Sequence, residues 1–73
     1  MAVWRVEVGY VGLDKEWHWG CYARGQKSLA KIVFKKFKDA NRTRLFKDSV
    51  LVCEVNGPEI VSDPQAFEEF NDT

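Results

Sequence analysis

The strongest constraint on the fold is the stretch 28–41, which reads SLAKIVFKKFKDAN. At ~100° per residue its apolar side chains fall on one broad arc of a helix, and its lysines gather on the opposite side. The apolar arc comprises Leu29, Ala30, Ile32, Val33, Phe34, Phe37 and Ala40. One face of the predicted helix must therefore be buried, and the remaining chain has to supply the surface that buries it.

The length of 73 residues predicts one small domain over 1–73, below the size at which a single core is comfortably stable. Ten aromatic residues and a hydrophobic fraction of 45% supply enough apolar surface for a core. No run approaches the ~20 apolar residues of a membrane span, and the N-terminus lacks the pattern of a signal peptide. These features predict a cytoplasmic protein with no membrane partner.

Two strands are predicted ahead of the helix. Apolar and polar residues alternate over 3–11 and again over 17–24, and the polar connection 12–16 has hairpin length. If both apolar sides point the same way, four aromatic side chains form a floor on which the helix lies. These are Trp4, Tyr10, Trp17 and Trp19.

A third strand is predicted over 49–56, after a basic loop over 41–48. Asn56 and Gly57 favour a turn, and Pro58 limits any return to an edge piece at 59–62. Asp63 and Pro64 are typical of a helix start, so the acidic segment 59–73 should hold a short helix. The predicted fold is α+β: a two-layer ββαβ domain with a three-stranded antiparallel sheet in the order 2-1-3, one long amphipathic helix on one face and a short C-terminal helix.

The charges are segregated along the chain although they sum to zero. Nine basic residues and one acid lie between Arg24 and Lys47, whereas the last fifteen residues hold five acids and no base. Like charges spaced i,i+4 destabilise a helix by roughly 0.2–0.5 kcal/mol per pair, so a one-sign stripe suggests a purpose. The candidate partner-binding residues are Lys27, Lys31, Lys35, Lys38, Arg42, Arg44 and Lys47.

The basic stripe has three interpretations. It can meet an acidic protein surface, it can contact nucleic-acid phosphates, or it can simply keep a small protein soluble. We expect a non-enzymatic interaction protein that docks on a larger protein or nucleoprotein complex, with direct nucleic-acid binding as the alternative. Neutral net charge and the acidic tail count against the alternative.

Catalysis is not expected, and neither is a metal or other cofactor. His18 is the sole histidine, with no nucleophile or carboxylate pair set around it by local spacing. Cys21 and Cys53 fall on predicted core-facing strand positions and are expected to be reduced, buried thiols.

A secondary surface is predicted on the sheet side away from the helix, at His18, Tyr22, Arg24, Val50 and Val52. The two valines need a cover, because exposed apolar patches usually mark an interface. Either Phe67 and Phe70 fold back over them, or two copies of the chain pair as a homodimer.

The stretch from WGCYARGQKSLAKIVFKKF to SVLVCEVNG resembles the small accessory proteins that bacteriophages use against host machinery, such as anti-CRISPR proteins and inhibitors of host RNA polymerase. The likeness is one of pattern over about half the chain: a strand, a short break, an amphipathic helix and an apolar strand. It implies an inhibitor that docks on a host protein or nucleoprotein complex in the host cytoplasm, without chemistry of its own.

A second resemblance is to the arm-type DNA-binding domains of phage integrases, in which a small sheet contacts DNA and a helix packs behind it. VWRVEVGYVGLDKEWHWGCYARGQKSLAKIVFKKF has the order of their first two strands and helix but lacks a third strand before the helix. This likeness implies binding of DNA.

Overall fold

The fold, taken from a computed structural model that describes residues 2–39 and 41–72, is a five-stranded antiparallel sheet with two helices. The elements in chain order are β1 (Trp4–Val11), β2 (Trp17–Gly25), α1 (Lys27–Phe37), β3 (Arg42–Lys47), β4 (Val50–Asn56), β5 (Glu59–Ser62) and α2 (Pro64–Asp72). The strands lie in the order β2-β1-β3-β4-β5. The predicted three-stranded sheet in the order 2-1-3 is therefore wrong, although the α+β composition holds.

The missing strand is β3, which we expected to be a basic loop. Its residues alternate, with Thr43 and Leu45 fully buried and Arg42 and Arg44 on the other side of the sheet. Leu45 pairs with Val6 of β1 and with Cys53 of β4, so β3 is the middle strand. Four of the six residues of β3 are basic or polar, so its alternation is hard to recognise as a strand. A central strand is usually apolar along at least one side.

Both helices pack on the same side of the sheet, which we call the covered face. Phe34 of α1 is fully buried, with its ring edge-on to Phe70 of α2 and tilted against Phe67. Phe70 also stacks on Trp4 at 5.4 Å between ring centroids. The core is therefore shared by the sheet, α1 and α2. Phe67 and Phe70 fold back on the covered face beside α1, and the prediction that they cover the opposite side of the sheet is wrong.

The start of α2 is as the sequence predicts. The carboxylate of Asp63 accepts a hydrogen bond from the backbone N–H of Ala66 at 3.1 Å, and Pro64 occupies the first helical position. The helix α1 instead ends at Phe37, four residues before the predicted end at Asn41. Ala40, which we expected on the buried arc, lies outside the described residues.

The buried arc of α1 is narrower than its apolar arc. Ala30 and Phe34 are buried, whereas Leu29 is 46% exposed and Ile32 is 68% exposed. The helix touches the sheet along one line and α2 along its flank, so two of the predicted core side chains have no surface to cover them.

At two places the register of strand pairing shifts by one residue, and side chains change from one face of the sheet to the other. Between Val6 and Glu7 the partner strand advances from Ala23 to Cys21, so Tyr22 is an extra residue in β2. Ala23 consequently belongs to the covered face, whereas Trp17, Trp19 and Cys21 lie on the opposite side, which we call the open face. The predicted aromatic floor is wrong for Trp17 and Trp19 and holds for Trp4.

A second shift, between Leu45 and Phe46, rearranges β4. Leu51 pairs with Phe46 on the open face, while Val52 packs against the core beside α2. The prediction that Val52 lies opposite the long helix is therefore wrong, since α2 and α1 cover the same face.

The two thiols differ in environment, which leads to a prediction. Cys53 is fully buried, and desolvation together with the charge of Asp63 raises the pKa of its thiol to about 11. Cys21 is exposed, contrary to the expected core position. We expect one thiol per chain to react with Ellman's reagent at neutral pH, and a Cys21→Ser variant to react only on unfolding.

The raised pKa also sets a pH window. The folded state favours the neutral Cys53 thiol, so its stabilising contribution is complete below pH ~9 and is lost as the pH rises toward ~11. Urea midpoints of Cys21→Ser should fall across that range, and those of a Cys21→Ser, Cys53→Ala double variant should fall less. Equal rates of reaction of Cys21 and Cys53 with Ellman's reagent in the native wild type would contradict the assignment of Cys53 as the buried thiol.

Candidate functional site on the open sheet face

Two indole rings form the centre of the open face. Trp17 and Trp19 are stacked, with ring centroids 6.1 Å apart and planes 25° from parallel. They lie over Gly9 of β1, where a Cβ atom would stand 2.9 Å from one ring and 3.1 Å from the other. A side chain at this position would force the rings away, so glycine lets the indoles lie close to the sheet.

Two arginines of β3 reach the same rings from the other side of Gly9. The guanidinium carbon of Arg44 lies 3.6 Å from the Trp19 centroid, and that of Arg42 lies 5.1 Å from the Trp17 centroid. Arg42 is directly opposite Gly9 in the sheet, so no side chain of β1 separates it from the indoles. Arginine above an indole face is attracted by the ring quadrupole, more strongly where water is excluded.

One buried carboxylate fixes both arginines. Glu54 of β4 is only 5% exposed, and it pairs with Arg44 across the β3–β4 ladder. Arg44 Nε donates to Glu54 Oε1 at 3.0 Å, and the guanidinium of Arg42 donates to Oε2. The carboxylate is thus fully engaged by charge-assisted hydrogen bonds, while the two arginine side chains stay 27% and 31% exposed.

The open face continues toward the other end of the strands. The guanidinium of Arg5 lies 4.4 Å from the ring centroid of Phe46, and Arg5 Nε is 3.3 Å from a Glu7 carboxylate oxygen. Leu51, 44% exposed, lies opposite Phe46 on β4. The face therefore presents ordered aromatic and arginine side chains over most of the sheet.

The predicted partner-binding residues do not form one surface. Arg42 and Arg44 lie on the open face, whereas the lysines of α1 lie on the other layer of the protein. Lys47, at the end of β3, has its ammonium 5.5 Å from the Trp4 ring on the covered side. The set divides because β3 lies within the segment predicted as a loop, and its alternation places Arg42 and Arg44 on the side of the sheet away from the helix.

The lysine stripe of α1 borders α2. Lys27 Nζ is 5.6 Å from the Trp4 centroid and 6.0 Å from that of Phe70, and Lys38 Nζ is 5.8 Å from Phe67. Lys31 is half-buried and Lys35 is exposed. Lys27 and Lys38 therefore lie along the seam between α1 and α2, and Lys38 Nζ donates to Asp39 Oδ1 at 2.9 Å.

The predicted secondary surface is also divided. His18 stacks on Tyr10 and its Nε2 lies 3.0 Å from both carboxylate oxygens of Asp14, and this contact lowers the pKa of Asp14. Tyr22 contacts Phe37 of α1 edge-on, so it belongs to the covered side. Arg24 lies opposite Arg5 on the open face, Val50 is 67% exposed and Val52 is half-buried.

Comparison with known proteins identifies no family for this chain. No protein-family model, curated protein or solved structure matches the chain. The described residues contain no group of three or more side chains that could hold a metal ion. Within the same part of the chain, neither helix is both long and apolar enough to cross a bilayer.

Sequence reasoning missed Trp17, Trp19 and Glu54 as members of the site. The tryptophans were assigned to the core because the bulge at Tyr22 cannot be recognised from alternation alone. A usable signal was present in β3 and β4, where RTR and CEV place two arginines and a carboxylate on alternating positions of neighbouring strands.

Proposed function

We propose that this is a non-enzymatic binding protein that docks through its open face on a surface of a larger protein, one that combines carboxylates with apolar groups. It is the class of protein that the resemblance to phage inhibitors implies, acting in the host cytoplasm. The observation that supports the proposal best is the Glu54-anchored pair of arginines lying over Trp17 and Trp19.

The composition of the open face supports a protein partner. Tryptophan, tyrosine and arginine dominate binding hot spots, which are most effective when the side chains are already ordered before binding. Trp17 is 43% exposed, and Arg42 and Arg44 are held by Glu54 with part of each side chain open to solvent. Such groups match a partner that supplies acidic side chains around an apolar centre.

The charge of the open face favours protein over nucleic acid. Glu54 offsets one of the two arginines above the indoles, and Glu7 offsets Arg5. Lys27 and Lys38 adjoin the acidic α2, and the whole chain is neutral. Backbone binding of nucleic acid depends on several uncompensated cations that release counterions, and this face has few.

The stacked indoles make single-stranded nucleic acid the second candidate ligand of the open face. Aromatic rings beside arginines form platforms on which single-stranded bases stack. Fluorescence anisotropy with labelled single-stranded DNA and RNA distinguishes the two candidates. We expect no saturable binding at physiological salt. Tight binding with a steep salt dependence would replace the proposed protein partner by nucleic acid.

The main experiment compares three forms of the protein as bait in a bacterial lysate. The open-face variant carries Trp17→Ala and Arg44→Ala, and the helix-face variant carries Lys31→Glu, Lys35→Glu and Lys38→Glu. We expect wild type and the helix-face variant to recover the same partner, and the open-face variant to lose at least ~90% of it, since hot-spot truncations cost ≥ ~2 kcal/mol. Quantitative mass spectrometry of the eluates gives the ratios.

Circular dichroism must first show that both variants are folded. Loss of the partner in the helix-face variant alone would overturn the proposed surface and return the interface to the lysine stripe. The same recovery with all three baits would exclude both faces.

A further inference from the structure

A cavity lies at the end of the open face, next to the β3–β4 turn. Its volume is about 240 Å³, and it is lined by Val3, Arg5, Arg24, Asp48 and Ser49. We infer that this cavity is an acceptor site for one carboxylate, supplied by an aspartate or glutamate side chain of the docked partner.

The arrangement of the two arginines supports this assignment. Arg5 and Arg24 are directly opposite each other on β1 and β2, so both side chains rise from the same face. Like charges in directly opposed positions destabilise a sheet, unless an anion lies between them. Two arginines that line one cavity can bind a planar carboxylate through their N–H donors.

The two arginines that line the cavity have donors without a hydrogen-bond acceptor among the described residues. Arg5 Nε is buried and has no hydrogen-bond partner among the described residues, because its contact with Glu7 at 3.3 Å lacks hydrogen-bond geometry. Arg24 is exposed and makes no ion pair within the same part of the chain. Because Arg5 Nε is closed to solvent and lies beside Glu7, a bound carboxylate would pair with Arg24 and with the outer guanidinium nitrogens of Arg5.

Arg5 is also held in position before any ligand arrives. Phe46 lies beneath its guanidinium at 4.4 Å, so little side-chain freedom remains to be lost on binding. On the opposite wall, Asp48 Oδ1 accepts the backbone N–H of Val3 at 2.9 Å, which ties the turn to β1. Both walls are therefore fixed.

The charge balance selects a carboxylate over a phosphate. Two arginines face Asp48 in the cavity, and Glu7 lies beside Arg5. These groups sum to zero, with Arg24 as the cation that lacks an ion pair. A single negative charge can pair with Arg24, whereas a dianionic phosphate would add a second charge close to Asp48.

The inference rests on the proposed use of the open face, yet its test needs no partner. The probe is glutamate blocked at both ends, N-acetylglutamate methylamide, with the corresponding glutamine compound as neutral control and inorganic phosphate as competing anion. Nitrogen-15 NMR follows the Nε–Hε signals of the arginines at constant ionic strength. We expect saturable shifts at Arg5 and Arg24 with the glutamate probe only.

Variants make the site specific. Arg24→Gln should bind the glutamate probe roughly tenfold more weakly, as expected for loss of one charge-assisted hydrogen-bonding partner. Lys35→Gln, which removes an exposed lysine of α1, should bind it as wild type does. Equal shifts with the glutamine compound, stronger binding of phosphate, or shifts that grow linearly without saturation would each overturn the carboxylate site.

The outcomes of the two experiments can be told apart. The docking test depends on Trp17 and Arg44, whereas the probe titration depends on Arg5 and Arg24 in the free protein. A failed titration with intact docking removes the carboxylate site alone. Failed docking with a positive titration removes the proposed partner surface alone.

Discussion

A chain that stops after Ser62 is expected to lose most of its folding stability. The truncation removes Phe70, which is 4% exposed and contacts both Trp4 and Phe34, together with the half-buried Phe67. Removing one buried phenylalanine costs about 3–5 kcal/mol, and the total stability of a domain is only about 5–15 kcal/mol. Thermal melts followed by circular dichroism should show a low, broad transition or none.

Single substitutions in α2 refine that test. Phe70→Ala should lower the free energy of unfolding by about 3–5 kcal/mol. Glu68→Ala, an exposed position in the same helix, should change it by less than about 0.5 kcal/mol. A truncated chain that melts like wild type would show that α2 is an appendage, and light scattering that reports a folded dimer would show that a second copy covers the core instead.

Replacing Glu54 by alanine is the second large change, and it should affect both stability and binding. The buried carboxylate joins Arg42 and Arg44, so its loss leaves two guanidiniums without their partner. Breaking a fully buried ion pair costs ~3–5 kcal/mol, but these arginines are about one-third exposed. Solvent screening reduces the expected loss to about 1–3 kcal/mol.

The measurement is urea unfolding combined with the partner recovery described above. Glu54→Gln keeps the shape of the side chain without its charge, and it should share much of the loss, because its amide N–H groups face arginine donors. Glu59→Ala, an exposed carboxylate on β5, is the matched control and should leave both readouts unchanged. Wild-type stability and recovery in Glu54→Ala would show that the arginines need no anchor.

Elements with strong local signals could be predicted from the sequence. Alternation located β1 and β2, the apolar arc located α1, and Asp63 with Pro64 located α2. The edge strand β5 after Asn56 and Gly57 also lies where the turn signal placed it. These features depend on contacts within a few residues, so the local sequence carries them.

The parts that could not be predicted depend on distant partners. RTRLFK becomes a central strand only because β1 and β4 lie on either side of it, and isolated it has the composition of a loop. Two register shifts then exchange the faces of Trp17, Trp19, Leu51 and Val52. A one-residue shift reverses the faces of all side chains on one side of the bulge, so one unseen bulge at Tyr22 moved the tryptophans from the predicted core to the candidate site.

The seam between β1 and β3 has a consequence for the order of folding. The hairpin β1–β2 and the meander β3–β4–β5 each pair strands that are near in sequence, whereas β1 and β3 are separated by the whole of β2 and α1. Such long-range pairing carries the larger loop-closure cost, so we expect it to be the slow step in forming the sheet. Trp17 and Trp19 come from the first unit, and Arg42, Arg44 and Glu54 come from the second. The open face is therefore assembled only when the two units join, so a chain caught before that step lacks the candidate site.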